Sequence, residues 1–403
     1  MTVLFGHPAG NPNSHQAALA HLEAGWLEAF CVPWMPSLEA LRVFRSVPRL
    51  RGLVDRLARR NYAPLDAVEK VQDRGGEFRR LALRALGFGD EALSYEANDW
   101  LMSRMTVECE RPAVTAVHAY EDCSLDQFRR ARSLGKACIY DMPIGYYPAW
   151  QDTQQRLVRH YVDWLPPGGL AASRVARPEQ KREEMALADL VLAPSSFVER
   201  TIRSFHSDIP VARAHYGVDL SFWSPTEEPS APGPLRFVFA GQLSLRKGVP
   251  DLLLAWERAA LQDAELLLVG SWQLSEDRLA KLPPNVQWRP PCGPAALREY
   301  YRSADVFVFP SHFEGFGLVL LEAMACGLPV IASDASAAPD VLVGDCGHIV
   351  PAGDIDELAG QLIAFSERRD DLAKMGRAAR ACAERCSWSS YREQVKAAVR
   401  PFV

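Results

Sequence analysis

One stretch of the chain, residues 306–327, places the tightest limit on the fold. Residues 306–309 are Val-Phe-Val-Phe, a run typical of a strand buried on both faces of a parallel sheet. Residues 318–326 are a run of helix formers, and Gly327 is a residue type that commonly ends a helix. The Gly-Phe-Gly of residues 315–317 lies between the two runs. The stretch therefore predicts a strand, a tight turn and a helix, which is the repeating unit of an α/β protein.

Two glutamates, Glu314 and Glu322, flank that turn. Glu314 is predicted on the loop that leaves the strand, and Glu322 within the helix, about two turns further on. A helix N-terminus offers free N–H groups to a diphosphate, and glycines at 315 and 317 let the backbone approach it closely. A carboxylate accepts hydrogen bonds from two neighbouring hydroxyls. The arrangement suits a sugar nucleotide, with the sugar on one side and the ribose on the other. The alternative is a solvated loop glutamate beside an ordinary helical one.

Residues 310–330 resemble the donor-binding signature of the retaining glycosyltransferases of family 4, the glycosyl transferases group 1, which have the GT-B fold. The resemblance implies that Glu314 contacts the transferred sugar and that Glu322 binds the ribose of the nucleotide. It also implies contacts to the donor sugar and diphosphate from the turn, at Gly315, Phe316, Gly317 and Leu318.

A second candidate loop reads Gly-Gln-Leu-Ser-Leu-Arg-Lys-Gly over residues 241–248. Arg246 and Lys247 have the charge to neutralise a diphosphate as it leaves, although a solvated loop is an equal reading of the spacing. The loop resembles the phosphate loop of the family, which implies that Lys247 is the phosphate-binding lysine. Gln242 stands where many members have arginine. One expected cation is thus missing, and Arg246 is the nearest replacement.

His118 is predicted to end a strand at residues 113–118. A side chain at the carboxyl end of a strand in an open α/β sheet lies where ligands bind. A histidine whose hydrogen bonds are satisfied by nearby backbone is the alternative. Enzymes of family 4 often have a histidine here that faces the donor sugar, so the resemblance implies a catalytic role for His118 beside Glu314 and Lys247.

The loop after the first predicted strand, residues 6–15, is rich in turn residues and ends near Ser14, a candidate N-cap. The family has a glycine-rich loop at this place, close to the phosphates and the acceptor. The resemblance therefore implies acceptor contacts from Gly10, Asn11, Asn13 and His15. The loop has no G-x-G-x-x-G, which argues against a dinucleotide-dependent dehydrogenase.

A length of 403 residues predicts two domains. Strands are predicted at 2–5, 113–118, 137–140, 190–193, 235–240, 265–269, 285–289, 306–309, 330–332 and 347–350. Helices are predicted at 14–30, 124–134, 178–188 and 249–260. Residues 224–234 contain four prolines and read as a linker. The prediction is α/β, GT-B: Rossmann-like domains at 1–224 and 234–387, with parallel sheets facing an interdomain cleft. The resemblance implies that a C-terminal helix at 388–403 packs back on the first domain.

Composition narrows the partners and the compartment. A formal net charge of −5 argues against a general nucleic-acid binder. Cysteines within apolar runs suggest buried thiols in a reducing compartment, and we expect a cytoplasmic protein. Residues 39–62 form a basic amphipathic segment. Such a segment fits peripheral contact with an anionic membrane on its inner face, and equally a core-packed helix pair with a basic solvated face.

These features together predict a glycosyltransferase that moves a sugar from a UDP or GDP sugar to a hydroxyl acceptor. Retention at the anomeric carbon is implied by the resemblance alone. We expect no metal ion and no cofactor beyond the donor. A saccharide or lipid-linked intermediate of polysaccharide or glycolipid synthesis is the expected acceptor. Another GT-B enzyme, such as an epimerase or a phosphorylase, and a non-catalytic sugar-nucleotide-binding protein are the alternatives.

Overall fold

The computed structural model describes residues 1–37, 39, 41–42, 57–58, 60–169, 177–226 and 233–403. Most of the basic segment predicted at 39–62 lies outside these residues, and so does the middle of the predicted linker at 224–234. None of the helices in the described parts of the chain is long and apolar enough to cross a membrane.

The first domain is built on a seven-stranded parallel sheet with the strand order β3-β2-β1-β4-β5-β6-β7. Its strands are β1 (Thr2–Gly6), β2 (Leu27–Val32), β3 (Lys70–Gln72), β4 (Val114–Tyr120), β5 (Ala137–Asp141), β6 (Leu190–Ala193) and β7 (Val211–Arg213). Its helices are α1 (Pro12–Glu23), α2 (Arg74–Ala85), α3 (Asp90–Glu108), α4 (Leu125–Ser133), α5 (Tyr147–His160), α6 (Pro178–Leu187) and α7 (Ser196–Arg203). The central strands are buried, as their apolar sequences require.

The second domain has a six-stranded parallel sheet in the order β10-β9-β8-β11-β12-β13. Its strands are β8 (Leu235–Ala240), β9 (Ala264–Val269), β10 (Val286–Arg289), β11 (Val306–Phe309), β12 (Val330–Ser333) and β13 (Gly347–Val350). Its helices are α8 (Val249–Ala259), α9 (Glu276–Ala280), α10 (Pro294–Arg302), α11 (Leu318–Ala325), α12 (Ala338–Val341), α13 (Ile355–Glu367) and α14 (Leu372–Arg385), and α15 (Trp388–Val399) follows. Short 3-10 turns occur at Ala63–Leu65, Val162–Trp164, Arg369–Asp371 and Arg400–Phe402.

The order of the second sheet sets the place of a ligand site. The chain runs outward from β8 through β9 to β10, and then returns to β11 on the other side of β8. Ligands of open α/β sheets bind at such a reversal, outside the carboxyl ends of the strands. The loops after β8 and β11 are therefore brought together here. The loop after β8 carries Arg246 and Lys247, the basic pair, and the loop after β11 carries Glu314, the first of the two glutamates.

The C-terminal helix α15 contacts α1 of the first domain. Glu23 of α1 pairs with Arg392 at 2.9 Å and with Lys396 at 3.3 Å, and Arg392 donates to the side chain of Gln16 at 2.6 Å. Just before α15, Ser387 pairs with Val218 in a parallel bridge. The segment around Val218, which leads from the first domain to the second, therefore lies beside the segment around Ser387, which leads back to the first.

The structure corrects the prediction of one long helix at 14–30. Helix α1 ends at Glu23, Gly25 has a φ of +71°, and β2 occupies the last part of the range. Apart from Glu28, the residues of β2 are a short apolar run, which periodicity alone cannot distinguish from a buried helix. The edge strands β3 and β7, each of three residues, were not predicted either.

Candidate functional site

The loops after β8 and β11 form the centre of the candidate site. The N–H of His312, after β11, donates to the carbonyl oxygen of Arg246, after β8, at 2.8 Å. Nη1 of Arg246 in turn donates to the carbonyl oxygen of Phe313 at 2.9 Å. These two bonds hold the loops together at the strand reversal. The basic pair is therefore fixed beside the turn that begins α11.

Glu314 is the carboxylate that this pair surrounds. It is only 5 % exposed, and its Oε1 lies 2.6 Å from Nζ of Lys247 and 3.1 Å from Nη1 of Arg246. Burial lowers the pKa of Lys247, and the charge of Glu314 opposes that shift. A buried carboxylate needs such partners to remain charged. The structure thus brings together three of the residues singled out in the sequence.

The turn between Glu314 and α11 depends on glycine. Gly317 is the N-cap of α11 with a φ of +86°, and a Cβ on it would lie 2.6 Å from the ring of Phe309. Only glycine adopts this conformation without strain. No side chain of the described residues caps the N-terminus of α11. The N–H of Leu320 donates to the carbonyl oxygen of Gly317 at 2.9 Å, and the N–H groups of the two residues before it are available to an anion.

The same turn packs directly against the first domain. A Cβ on Gly315 would lie 1.7 Å from the carbonyl oxygen of Pro143, and the hydroxyl of Ser195 donates to the carbonyl oxygen of Gly315. The ring of Phe313 fits against Gly145 and lies 5.3 Å from the ring of Trp150. The domains therefore meet at the candidate site.

Glu322 lies in a cavity of about 590 Å³ between the domains. This cavity is on the other side of the contact that Gly315 and Phe313 make with the first domain. Both α1 and α11 contribute their first turns to this cavity, through His15 and Leu318 among others, and α15 adds Arg392. Burial raises the pKa of Glu322 to about 7. The second glutamate therefore faces a space large enough for a small molecule.

A larger cavity of about 1100 Å³ lies on the other side, beside Arg246. Gln242 also lines it, so the residue that replaces the expected arginine faces the cleft. Three tryptophans, at 150, 272 and 288, contribute to its wall. The sequence analysis missed them, because they come from separate parts of the chain and carry no motif.

The first loop is only partly in the cleft. Asn11, not Ser14, is the N-cap of α1: its Oδ1 accepts from the N–H of Ser14 at 2.9 Å. The N–H of Gly10 donates to Nδ1 of His7 at 2.9 Å. Asn13 lies in the first turn of α1. Of the four residues expected to contact the acceptor, His15 lines the smaller cavity, where its ring stacks on that of Tyr62 at 5.4 Å.

The structure does not bring His118 to the cleft. Strand β4 continues past it to Tyr120, so the expectation that His118 ends its strand is wrong. His118 is 0 % exposed, its Nδ1 lies 2.8 Å from Nε2 of His21, and it lines neither of the two cavities. Burial lowers the pKa of His118 to about 3. The strand ends two residues further on, at Tyr120, whose side chain lies on the same face of the sheet as that of His118.

No metal centre stands out in the part of the chain that the structure describes: no group of three or more His, Cys, Asp and Glu is placed to hold an ion. The Asp-x-Asp triplet at residues 354–356 has structural partners. Asp354 caps α13 by accepting from the N–H of Glu357, and Asp356 pairs with Arg258.

The part of the chain that carries the candidate site matches a known family. Residues 224–381 match the sequence model described as Glycosyl transferases group 1. This part of the chain belongs to that family. The predicted membership of the group is therefore confirmed for the domain that carries Glu314, Glu322 and the basic pair.

The matching relatives extend beyond that domain. D-inositol 3-phosphate glycosyltransferase of Streptomyces bingchenggensis is 32 % identical over 245 residues, covering 54 % of this chain and 53 % of that protein. Alpha-maltose-1-phosphate synthase of Mycolicibacterium smegmatis is 31 % identical over 252 residues, covering 53 % and 63 %. The chain thus spans about half the length of the curated relatives that it matches.

Solved structures confirm the predicted GT-B fold. Sucrose-phosphate synthase from Thermosynechococcus elongatus aligns with a TM-score of 0.66 at 19 % identity, over 100 % of this chain and 98 % of that one. Anabaena HepE in complex with UDP and glucose aligns with a TM-score of 0.61 at 15 % identity, over the whole of both chains. At such identities the likeness establishes the fold alone.

Proposed function

We propose that the protein is a glycosyltransferase that moves a sugar from a nucleoside-diphosphate sugar to a hydroxyl acceptor. The observation that carries this proposal is the contact of Lys247 and Arg246 with Glu314 beside the uncapped N-terminus of α11. Two cations, a helix N-terminus and a carboxylate are the groups that a sugar diphosphate requires. The named activities of the relatives support the same reaction class.

The arrangement suggests how the donor is held. A diphosphate over the N-terminus of α11 competes with Glu314 for Lys247 and Arg246, because both cations contact the same oxygen of Glu314 beside that N-terminus. Displaced from its cations, Glu314 is then free to accept hydrogen bonds from the hydroxyls of the transferred sugar. In this scheme the two cations pass from Glu314 to the diphosphate, and the hydroxyls of the sugar replace them as hydrogen-bond donors to the carboxylate.

Glu322 is the proposed ligand of the ribose hydroxyls. Its cavity adjoins the first turn of α11, so a nucleotide whose diphosphate lies at that turn can place its nucleoside there. UDP and GDP are the proposed nucleotides, and the solved structure of HepE with UDP supports the former. The cavity also contains the aromatic rings of Tyr62 and Trp388, which offer faces for a base.

For the chemical step we propose attack on the face from which the diphosphate leaves, with retention at the anomeric carbon. The acceptor oxygen bonds to that carbon, the bond to the diphosphate oxygen breaks, and the leaving diphosphate takes the acceptor proton. Lys247 and the N–H groups of α11 stabilise the charge that develops on the diphosphate. We propose that turnover needs no metal ion, so it should persist in excess chelator.

Calorimetry with UDP, GDP and ADP tests the donor site. We expect one diphosphate to bind the wild-type protein and to bind Glu322→Ala at least tenfold more weakly. Glu367→Ala, at the exposed end of α13, is the matched control and should bind as wild type. Binding of none of the three diphosphates would overturn the proposal.

A non-catalytic sugar-nucleotide-binding protein is the second candidate. Gln242 in place of a cation and the burial of His118 favour it, because both remove groups that the resemblance assigns to catalysis. Release of UDP from a UDP sugar, followed over a panel of acceptors, separates the two candidates. Tight binding of the sugar nucleotide with no release on any acceptor would favour the binding protein.

A further inference from the structure

The larger cavity, beside Arg246, has a wall built by both domains. The first domain contributes α5 and the loop that follows it, and the second contributes the loops after β8 and β9 together with Trp288 and α9. Its volume of about 1100 Å³ is at the upper end of small-molecule sites and exceeds what a single sugar ring needs.

The wall of this cavity is largely apolar. Nε1 of Trp272 donates to the carbonyl oxygen of Ser275 at 3.1 Å, and Nε1 of Trp288 donates to that of Gly270 at 2.9 Å. With both N–H groups bonded within the protein, these indoles offer their carbon surfaces to a ligand. Leucines at 157, 245, 274 and 279 add to the same wall.

The charges of the cavity do not suit an anion. Arg246 is the one cation among the described residues that line it, and in the proposed function its guanidinium is taken by the diphosphate of the donor. Two exposed carboxylates, Glu276 and Asp277, line the same space. A phosphate there would lack a free cation and would be repelled by these carboxylates.

The cavity also adjoins the reacting centre. Arg246 faces it and bonds to Glu314, the proposed ligand of the transferred sugar. A molecule held against the tryptophans can therefore present a hydroxyl to the anomeric carbon. The smaller cavity, on the other side of the domain contact, contains Glu322 and serves the nucleoside in the proposed function.

We infer that the larger cavity binds the acceptor, and that the acceptor is an uncharged alcohol with an apolar alkyl or aryl body. This inference rests on the proposed function and adds the substrate class. Its hydroxyl oxygen bonds to the anomeric carbon, the diphosphate leaves with the hydroxyl proton, and no further reactant is required. Sugar phosphates, which lack an apolar body and carry negative charge, are the class that this cavity excludes.

The test uses n-octyl β-D-glucoside, below its micellar concentration, as the probe. Glucose is the control without an apolar body, and glucose 6-phosphate is the charged control. We expect the octyl glucoside to bind at least tenfold more tightly than either control. Trp272→Gln and Leu279→Gln should each weaken it at least fivefold, while Val343→Gln, at an exposed apolar position elsewhere, should not. Thermal melting checks that each variant is folded.

Two further readouts separate this inference from the proposed function. UDP binding should be unchanged in Trp272→Gln, and the octyl glucoside should accelerate UDP release from the UDP sugar. Tighter binding of glucose 6-phosphate, or octyl glucoside binding that both variants leave unchanged, would overturn the inference even if UDP binds. The protein could also bind octyl glucoside through Trp272 but bind no nucleoside diphosphate. That result would overturn the proposed function, and with it the acceptor role of the cavity.

Discussion

Nζ of Lys247, after β8, lies 2.6 Å from Oε1 of Glu314, after β11. The side chains of both residues are largely buried, and Arg246 shares the same carboxylate oxygen at 3.1 Å. The pair exists because the chain runs outward from β8 to β10 and then returns, which places β11 beside β8. In the proposed function both cations pass from Glu314 to the diphosphate of the donor, and the hydroxyls of the sugar then donate to the carboxylate.

Replacing Lys247 by alanine should lower kcat about 10²–10³-fold, which is the usual effect of removing one group that stabilises developing charge. Glu314 keeps Arg246 as a partner in this variant, so the protein should remain folded. Initial rates of nucleotide release measure the effect. Lys281→Ala removes an exposed lysine of the same domain and should leave the rate unchanged. Equal rates for Lys247→Ala and wild type would contradict the role of Lys247.

Nucleotide binding should depend on the ionisation of Glu322. Burial raises the pKa of Glu322 to about 7, and the ionised form is the better acceptor for ribose hydroxyls. With that pKa, the ionised fraction rises about tenfold between pH 6 and pH 8. UDP affinity should therefore rise in wild type relative to Glu322→Gln over this range. Parallel pH profiles for the two proteins, measured by calorimetry, would show that Glu322 does not contact the nucleotide.

The same carboxyl should affect stability with the opposite sign to a salt-bridged acid. Its pKa in the folded protein lies above the ordinary value of 4.5, so the folded state retains the proton more strongly. Glu322 thus costs no stability below about pH 4.5, an increasing amount up to about pH 7, and a constant amount above that. Glu322→Gln should raise the free energy of unfolding by about 1–3 kcal/mol at pH 8 and by much less at pH 5. Urea unfolding at the two pH values measures the difference, and an equal gain at both would refute it.

The contact between Gly315 and Pro143 should be sensitive to a single methyl group. A Cβ on Gly315 would lie 1.7 Å from a carbonyl oxygen of the other domain, so Gly315→Ala must push the loops apart. We expect a loss of about 1–3 kcal/mol in the free energy of unfolding, as for other overpacked sites, together with loss of turnover. Gly360→Ala, in the middle of α13 with open space around it, should instead stabilise by about 0.5–1 kcal/mol. Denaturant unfolding measures the free energy of unfolding of both variants. If it changed in the same direction in Gly315→Ala and Gly360→Ala, the prediction would be wrong.

Thiol labelling should select one cysteine first. Cys292 is exposed, whereas Cys386 is half-buried and the other seven cysteines are buried. Burial raises the pKa of Cys346 to about 11, which keeps such thiols protonated and unreactive at neutral pH. A coloured disulfide reagent should modify Cys292 in a fast phase that is absent in Cys292→Ser. A fast phase that persists in this variant would show that another cysteine is accessible in solution.

Local sequence was sufficient wherever a motif is continuous. The strand β11, the turn around Gly317 and the helix α11 were predicted because their propensities and their spacing agree over about twenty residues. The basic pair before α8, Arg246 and Lys247, was also predicted from one continuous stretch, the loop at residues 241–248. The six strands of the second domain followed from the apolar runs, and this domain is where the family match lies.

Positions that depend on distant neighbours were beyond such reasoning. The sequence of strand β2 is short and, apart from Glu28, apolar, so it fits the end of a helix equally well, and only pairing with β1 and β3 decides between the two. His118 was placed at a strand end because the pairing that extends β4 to Tyr120 comes from β5. Burial within the sheet then removes His118 from the cleft.

The sequence by itself determined the α/β class, the two domains, and the turn with its two glutamates and its basic pair, because each is specified by residues near in the chain. Only the tertiary structure decided which groups meet across the cleft. Lys247 reaches Glu314 through the reversal of strand order, and Trp150 reaches the cavity of Trp272 and Trp288 through the packing of two domains. Such contacts join distant segments whose separation carries no periodic signal, so they appear only when the sheets are assembled.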